Sequence, residues 1–267
     1  MITVMNTNQN CGVTITGDYL DLNQLYDAIS ALILDDYSYP GYEHVRIYIL
    51  SFLYDLRHAY QGEREAAVVY DYNQDELKFL NVPQSTHHIY YSFHFPWANM
   101  IFVASALEDY KKKARNLTLY RRAIQLHSFL GDDKEYYQKL KEKREYNIAV
   151  VTMFQEMIWA CLKEIISVSK VNKCQKIIAE SPHNRCQGYF VQFVEDVDVQ
   201  LYHKVDGAER RKIISKNLMD LIKIPNIFED KSNYAHLYHQ AYFDAKKNNI
   251  NIENIQYDYD YPENIIW

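Results

Sequence analysis

The stretch from Tyr39 to Arg64, YPGYEHVRIYILSFLYDLRHAYQGER, combines a turn, a long apolar stripe and a polar exit. Pro40-Gly41 is typical of a turn, and Gly62 is typical of a helix C-terminus, because glycine adopts the left-handed cap without strain. Between these signals, at about 100° per residue, one broad helix face is apolar. Its members are Val45, Tyr48, Ile49, Phe52, Leu53, Leu56, Ala59 and Tyr60. The stretch therefore predicts one long, half-buried helix.

Both polar edges of this predicted helix carry side chains suited to recognition. Tyr42, Arg46 and Arg57 align on one edge, with the arginines within roughly 20° of each other, and paired arginines suit a phosphate or carboxylate. On the other edge, Asp55 and His58 stand at i, i+3, where a carboxylate can orient a general base. A solvated face with ordinary ion pairs explains the same pattern. The candidate binding residues are Tyr42, Arg46, Asp55, Arg57, His58 and Arg64.

Length and composition limit the class of protein. The chain has 267 residues, 48% of them hydrophobic, and a net charge of −6. It is therefore globular, and as a whole it is not an electropositive surface for nucleic acid. Its four cysteines lack disulfide or metal-site spacing. With neither a signal peptide nor an uncharged apolar span, the sequence predicts a soluble cytoplasmic protein without membrane contact, metal or cofactor.

The front of the chain, residues 1–114, predicts a small α+β region. Asp21, with Gln24 three residues later, predicts a capped first helix, and Pro96 suits the first turn of another helix. Runs rich in β-branched or aromatic residues predict the strands of a small antiparallel sheet at residues 2–5, 12–16, 66–72 and 88–95.

The back of the chain, residues 115–267, predicts helices. The periodic segments are 117–130, 134–146, 147–169, 171–180, 207–222 and 233–247. Residues 188–205 fit a helix or a strand, and the neighbouring helices favour a helix. The predicted fold class is thus α+β and predominantly helical, with a small antiparallel sheet near the N-terminus and a helical C-terminal half. Because no Gly/Ser linker stands at residue 114, we expect the two regions to pack as one compact unit.

Four strings in the front region carry a resemblance: GVTITGDYLDLNQLYDA (12–28), YPGYEHVR (39–46), YDLRHAYQGER (54–64) and YYSFHFPWANMIF (90–102). They resemble a family of uncharacterised bacterial proteins, a domain of unknown function, over residues 1–112. The resemblance implies a small α+β bacterial domain and places Arg57, His58 and Arg64 in a family pattern. It implies nothing about chemistry.

A second resemblance concerns Arg122 and His127, which are separated by four residues on a predicted helix. The pair resembles the signature of the HEPN superfamily of helical RNA-cutting domains. That resemblance implies metal-independent cleavage, in which the pair activates a ribose 2′-hydroxyl and stabilises the phosphorane. Ala123 stands where the superfamily has a polar residue, and roughly one such pair is expected by chance.

Three weaker features complete the candidates. His236 and His239 stand at i, i+3 but lack the glutamate and the second motif of a zinc site, so they are typical of surface histidines. The basic run Lys111–Lys113, with Arg115, Arg121 and Arg122, predicts either a nucleic-acid stripe or, more simply, a solvated helix face. The aromatic tail 256–267 ends in Trp267, and we expect it to dock on its own domain or on a partner's sheet edge.

The sequence favours a ligand- or partner-binding module whose recognition surface is the helix carrying Tyr42, Arg46, Arg57 and His58. Its predicted partners are a second copy of the chain or another protein. The alternative is a metal-independent ribonuclease that uses Arg122 and His127, and RNA is a predicted partner only under that alternative.

Overall fold

A computed structural model describes residues 1–35, 38–70, 87–116, 118–120, 122, 134–225 and 231–267. The side chains of residues 70, 87 and 134–141 are not described. Across these ranges the chain is mainly helical with a small antiparallel sheet near the N-terminus, so the predicted α+β class is confirmed.

The sheet has the antiparallel order β1-β2-β4-β3, with β1 (Thr3–Asn6), β2 (Gly12–Asp18), β3 (Glu65–Tyr70) and β4 (His87–Pro96). These strands confirm the predicted strand segments. Register pairs Ile15 with Phe93 and Val13 with Phe95. Because successive side chains on a strand point to opposite faces, these four residues share the face toward the helices, and all four are buried.

Within the described residues, the longer helices are α1 (Tyr19–Ile33), α2 (Glu43–Tyr60), α3 (Trp97–Arg115), α4 (Lys134–Ile165), α5 (Val168–Glu180), α6 (Gln192–Tyr202), α7 (Gly207–Ile222) and α8 (Asn233–Asn248). The long helix predicted from the Tyr39–Arg64 stretch is α2, and its predicted apolar face is the buried or half-buried one. The helical interpretation of residues 188–205 is confirmed by α6. Most of the helix predicted over 117–130 lies outside the described residues.

Two predicted helix boundaries are wrong. The segments 134–146 and 147–169 form the single helix α4, because neither glycine nor proline interrupts the chain between them. Helix α1 is capped by Asp18, whose carboxylate accepts a hydrogen bond from Asp21 N at 2.8 Å. Asp21 itself pairs with the N-terminal ammonium group.

Helix α3 is the central element of the fold. It packs against helices on every side (α1, α2, α4, α5, α6 and α7) and against strands β2 and β4. Its N-terminus is capped from outside by Asp198 of α6, whose carboxylate accepts hydrogen bonds from Ala98 N at 3.0 Å and Asn99 N at 3.2 Å. Because most of α3 is buried, each buried polar group on it needs a partner within the protein.

The C-terminal tail docks on its own chain, which confirms that the tail does not remain in solvent. Arg210, fully buried, donates to Ile266 O at 2.6 Å. Gln9 N donates to Trp267 O at 3.3 Å, and the Trp267 ring lies 5.1 Å from the His94 ring. The tail is thus held by backbone hydrogen bonds and by ring contacts.

Buried side chains from both predicted regions form one continuous core. Residue 114 falls within the last turn of α3, and the division of the chain at this residue stays a prediction. Within the described ranges, no helix combines the length and the apolar character that crossing a bilayer requires.

We expect Asp198→Ala to lower the free energy of unfolding by about 2 kcal/mol or more, since it leaves buried α3 amides without acceptors. Asp196→Ala is the matched control two residues earlier on α6. Asp196 accepts a hydrogen bond only from Gln200, at 2.7 Å, among the described contacts, so its loss is expected to cost less than about 1 kcal/mol. Urea denaturation of both variants checks the expectation, and equal losses would contradict it.

Candidate functional site

Helix α2 separates the residues of the predicted binding set. At 1.5 Å of rise per residue, Arg46 and Arg57 lie about 16 Å apart along the helix axis. The two arginines share an edge of the helix, as predicted, but they are too far apart to bind a single phosphate together. The set therefore divides into a C-terminal group and an N-terminal group.

The C-terminal group forms neighbouring surface ion pairs. Asp55 accepts from Arg64 Nη2 at 2.7 Å, and His58 Nδ1 pairs with Glu63. The expectation that Asp55 orients His58 is therefore wrong, because residues in the turn after α2 take both partners. The Arg57 guanidinium lies 5.9 Å from the Tyr54 ring. Surface pairs of this kind contribute little free energy.

The N-terminal group is buried and faces helix α3. Tyr42 is 2% exposed, and its hydroxyl donates to Asp109 Oδ2 at 2.7 Å. Arg46 Nε donates to Leu34 O at 2.9 Å, and Arg46 Nη2 lies 3.9 Å from Asp35 Oδ1. Arg46 thus holds the end of helix α1, whereas Tyr42 joins a polar cluster in the interior.

Asp109 is the centre of this polar cluster and is fully buried. Besides Tyr42, its carboxylate accepts from Cys186 N at 2.8 Å and faces Arg185 Nη2 at 3.3 Å. Arg185 in turn donates to Ser105 O at 2.6 Å. One carboxylate therefore joins α3, the turn before α2 and the loop after α5.

The basic run Lys111–Lys113 lies at the C-terminal end of α3, and the expectation of a solvated face or nucleic-acid stripe is wrong for it. The first lysine pairs with Glu108 at 2.7 Å. The second donates to the carbonyl oxygens of Ile178 at 2.6 Å and Ser181 at 2.7 Å. The first and third lysines are 4% and 5% exposed. Lys111 and Lys113 point into the protein and Lys112 is half-buried, because neighbouring elements cover most of α3.

Lys113 differs from its two neighbours because aromatic rings surround its ammonium group. Nζ lies 3.0 Å from the ring centroid of Tyr42, 5.4 Å from that of Tyr39 and 5.8 Å from that of Tyr110. Among the described residues, Nζ has no hydrogen-bond partner. Burial lowers the pKa of Lys113 to about 8, although the Asp109 carboxylate opposes this shift.

Lys113 borders a pocket of about 300 Å³ between the turn before α2, the end of α3 and the loop after α5. The described lining residues are Ser38, Tyr39, Pro40, Tyr42, Lys113, Leu119, Arg122, His183, Asn184 and Gln187. The ionisable side chains among them are basic or phenolic, and none is a carboxylate. This pocket thus presents positive charge beside aromatic surface.

Local structure places the walls of the pocket. Gly41 has φ of +79°, a left-handed backbone conformation that residues with a Cβ rarely adopt, so glycine suits this turn. The Gln187 side chain packs against it, since a Cβ there would lie 2.7 Å from Gln187 Nε2. On the opposite wall, the Asn116 side chain accepts from Leu119 N at 3.2 Å and caps a helical turn at residues 118–120. This turn brings Leu119 and Arg122 to the pocket.

The buried charges at the base of the pocket do not balance. Lys113 and Arg185 are cationic and Asp109 is anionic, which leaves one positive charge in excess among these three groups. Asp109 already accepts two hydrogen bonds and faces Arg185. A buried charge is costly unless a counter-charge and hydrogen bonds accompany it. The arrangement is therefore suited to receive an anion.

Sequence reasoning found Tyr42 but missed Asp109 and Lys113. A signal was present, because Phe102, Ala106, Asp109 and Lys113 follow helical spacing and share one face of α3. That face is apolar at its start, and charged residues on a buried face mark a polar site. The basic run concealed the signal, since consecutive lysines are typical of solvated surface.

The structure describes one residue of the predicted ribonuclease pair. Arg122 is exposed at the rim of the pocket, whereas His127 lies outside the described residues. The pair's geometry is thus untested. His236 and His239 are exposed on α8, and among the described residues no group of three metal-ligating side chains is suited to a metal ion.

Comparison with known proteins gives one match. A family model with the description "Domain of unknown function (DUF6904)" matches residues 2–267. No curated protein and no solved structure matches the chain. The matched range includes the helical back of the chain, so the expectation that the resemblance is confined to residues 1–112 is wrong.

We expect Lys113→Met to be at least as stable as the wild type at about pH 7. Burial lowers the pKa of Lys113 from 10.5 to about 8, so the cost of the charged amine is fully present below pH 8. That cost disappears as the pH rises toward 10.5, because the unfolded state then binds more protons than the folded state. Chemical denaturation across this pH range should show the variant's advantage shrinking as the pH rises.

Lys112→Met is the matched control, one residue away on the same helix. It removes hydrogen bonds to two carbonyl oxygens at the end of α5, so we expect a loss of about 1–2 kcal/mol. An equal or larger loss for Lys113→Met at pH 7 would contradict the description of Lys113 as an uncompensated cation.

Proposed function

The chain belongs to the DUF6904 family of domains of unknown function, and we propose that it is a binding module for a small organic anion. The observation that carries the proposal is the Lys113 ammonium group, buried beside a pocket without a hydrogen-bond acceptor among the described residues. Proteins that keep a desolvated charge at a cavity retain it against its cost in stability, and ligand recognition is a common reason.

The chemistry of the pocket supports an anion over other ligands. A carboxylate or phosphate would supply the charge that the Lys113–Arg185–Asp109 group lacks. Arg122 and His183, both exposed at the rim, add donors that suit a negatively charged oxygen. A cationic ligand would meet like charge at Lys113 and Arg122, at a cost in free energy.

The size and lining of the pocket support a small organic molecule. About 300 Å³ is at the lower end of the range of small-molecule sites. Tyr39 and Tyr42 supply apolar ring surface for the carbon skeleton. Because Lys113 is shielded from water, its interaction with an anion is stronger and less sensitive to salt than that of an exposed lysine.

The proposal narrows the predicted recognition surface. Of the predicted binding residues, Tyr42 lines this pocket. Arg122, from the predicted ribonuclease pair, also lines it. A binding role for Arg46, Asp55, Arg57, His58 and Arg64 stays a prediction. A cytoplasmic location, a bacterial origin and binding to a second copy or another protein also stay predictions of the sequence.

We expect Lys113→Met to weaken anion binding by about tenfold or more, because a charge-assisted contact contributes about 1.5–3 kcal/mol. Isothermal titration of the full chain with lactate and with inorganic phosphate measures the loss and distinguishes a carboxylate from a phosphate site. Arg122→Ala should show a smaller loss, since Arg122 is exposed.

Arg211→Ala is the control for a general loss of positive charge, because Arg211 is exposed on α7 and does not line the pocket. It should leave both affinities unchanged. If neither probe binds the wild type, or if Arg211→Ala and Lys113→Met weaken binding equally, the pocket is not an anion site.

The ribonuclease alternative keeps one favourable observation, which is that the Arg122 side chain is exposed and accessible to an RNA phosphate. If the pair cuts RNA without metal, the wild type degrades RNA in EDTA and His127→Ala does not. Lys113→Met should cut like the wild type, because Lys113 is buried. Intact RNA after incubation with the wild type would reject this alternative.

A further inference from the structure

We propose that the Lys113 amine forms an imine with the carbonyl group of a small oxo acid held in this pocket. The inference rests on the proposed function and names the class of ligand. It is carried by the position of Lys113: a 5% exposed lysine that borders a cavity and whose Nζ has no hydrogen-bond partner among the described residues.

Lys113 differs from the other two lysines of the basic run in the partners of its nitrogen. Lys111 is paired with Glu108 at 2.7 Å, and Lys112 donates to two carbonyl oxygens. Such acceptors stabilise the charged form of an amine and occupy its hydrogens. Lys113 contacts ring faces instead, which attract its charge but accept no conventional hydrogen bond. Lys113 is thus the lysine of this run whose nitrogen has no hydrogen-bond acceptor among the described residues. It can react without first breaking a hydrogen bond.

Desolvation also makes the Lys113 amine more nucleophilic near neutral pH. An amine attacks a carbonyl only in its neutral form, and burial lowers the pKa of Lys113 to about 8. Once neutral, the amine loses its attraction to the Tyr42 ring. Rotation of its flexible four-carbon stem can then turn the nitrogen toward the pocket.

The groups around Lys113 favour this state. They are Tyr39, Tyr42, Asp109, Tyr110 and Cys186, with Arg122 and His183 at the pocket. Burial raises the pKa of the three tyrosines and of Cys186, so these groups stay neutral. Asp109 is the near carboxylate, and Tyr42, Arg185 and Cys186 N already engage it.

The reaction needs no reagent beyond the amine and the ligand. The nitrogen lone pair attacks the carbonyl carbon, the C–N bond forms as the C=O π bond opens, and a proton passes from the nitrogen to the oxygen to give a carbinolamine. The nitrogen lone pair then expels the hydroxyl group, which leaves as water with the proton that the ammonium group released. The C–O bond breaks and a protonated C=N bond remains. Ser38 Oγ and Tyr39 Oη are buried without hydrogen-bond partners among the described residues, and both residues line the pocket. They are suited to hydrogen-bond the departing oxygen.

The surrounding charge favours an oxo acid over a neutral aldehyde or ketone. The carboxylate of an oxo acid suits Arg122 and His183 at the rim, while its carbonyl carbon reaches toward the Lys113 side of the pocket. Formation of a protonated imine keeps the positive charge where the ammonium was. The product can therefore lie against the Tyr42 face and near Asp109, as the free lysine does.

Reductive trapping tests the proposal on the full chain. The protein is incubated with pyruvate and sodium cyanoborohydride, and the reduced adduct is located by peptide mass spectrometry. We expect labelling at Lys113 to exceed labelling at Lys176, which is 73% exposed, by roughly tenfold or more, because an exposed lysine is almost fully protonated near neutral pH. Lactate, which has the carboxylate but no carbonyl, should compete without being trapped.

Two conservative variants separate the imine from simple anion binding. Lys113→Arg keeps the charge and should retain lactate binding but lose trapping, whereas Lys112→Arg should be trapped like the wild type. Lactate binding without an adduct at Lys113, or equal labelling of Lys113 and Lys176, would overturn the imine and leave the anion site intact. Absence of binding by both lactate and pyruvate would overturn the imine and the proposed function together.

Discussion

Burial of helix α3 is the constraint on which the rest of the structure depends. The sheet and six other helices pack on it, so every buried charged residue on α3 must find a partner inside the protein. Asp109 meets this requirement through Tyr42, Arg185 and Cys186 N. The same contacts fix the turn before α2 and the loop after α5, and these two segments form walls of the candidate pocket. Packing of one helix thus determines where the site lies.

Lys113 is a buried charged residue of α3 whose ammonium group has no hydrogen-bond partner among the described residues. The tyrosine rings around it offset part of the cost of desolvation, but they do not replace an acceptor or a counter-ion. A methionine would fill similar volume without a charge. Ligand binding in the pocket therefore explains a lysine at this position better than a contribution to fold stability does. The adjacent lysines provide the contrast, because each is fully engaged with protein acceptors.

Much of the fold follows from local patterns. The α2 stripe predicts its buried face, and the β-branched runs predict all four described strands, since period and turn residues are local properties. The candidate site does not follow in the same way. The helical pattern places Tyr42 on a polar helix edge, but its partner Asp109 is 67 residues away, and a single sequence carries no information on that pairing. A run of lysines indicates a solvated face only where the helix faces solvent, and Lys111 and Lys113 are buried.

The pKa of Lys113, measured by NMR of its side-chain nitrogen with and without a saturating anion, tests the anion site most directly. The structure predicts a pKa near 8 in the free protein, because the amine is desolvated. A bound anion stabilises the ammonium form, so the pKa should rise by about one unit or more when lactate or phosphate binds. A pKa near the ordinary value of 10.5 that no anion changes would contradict both the buried cation and the anion site.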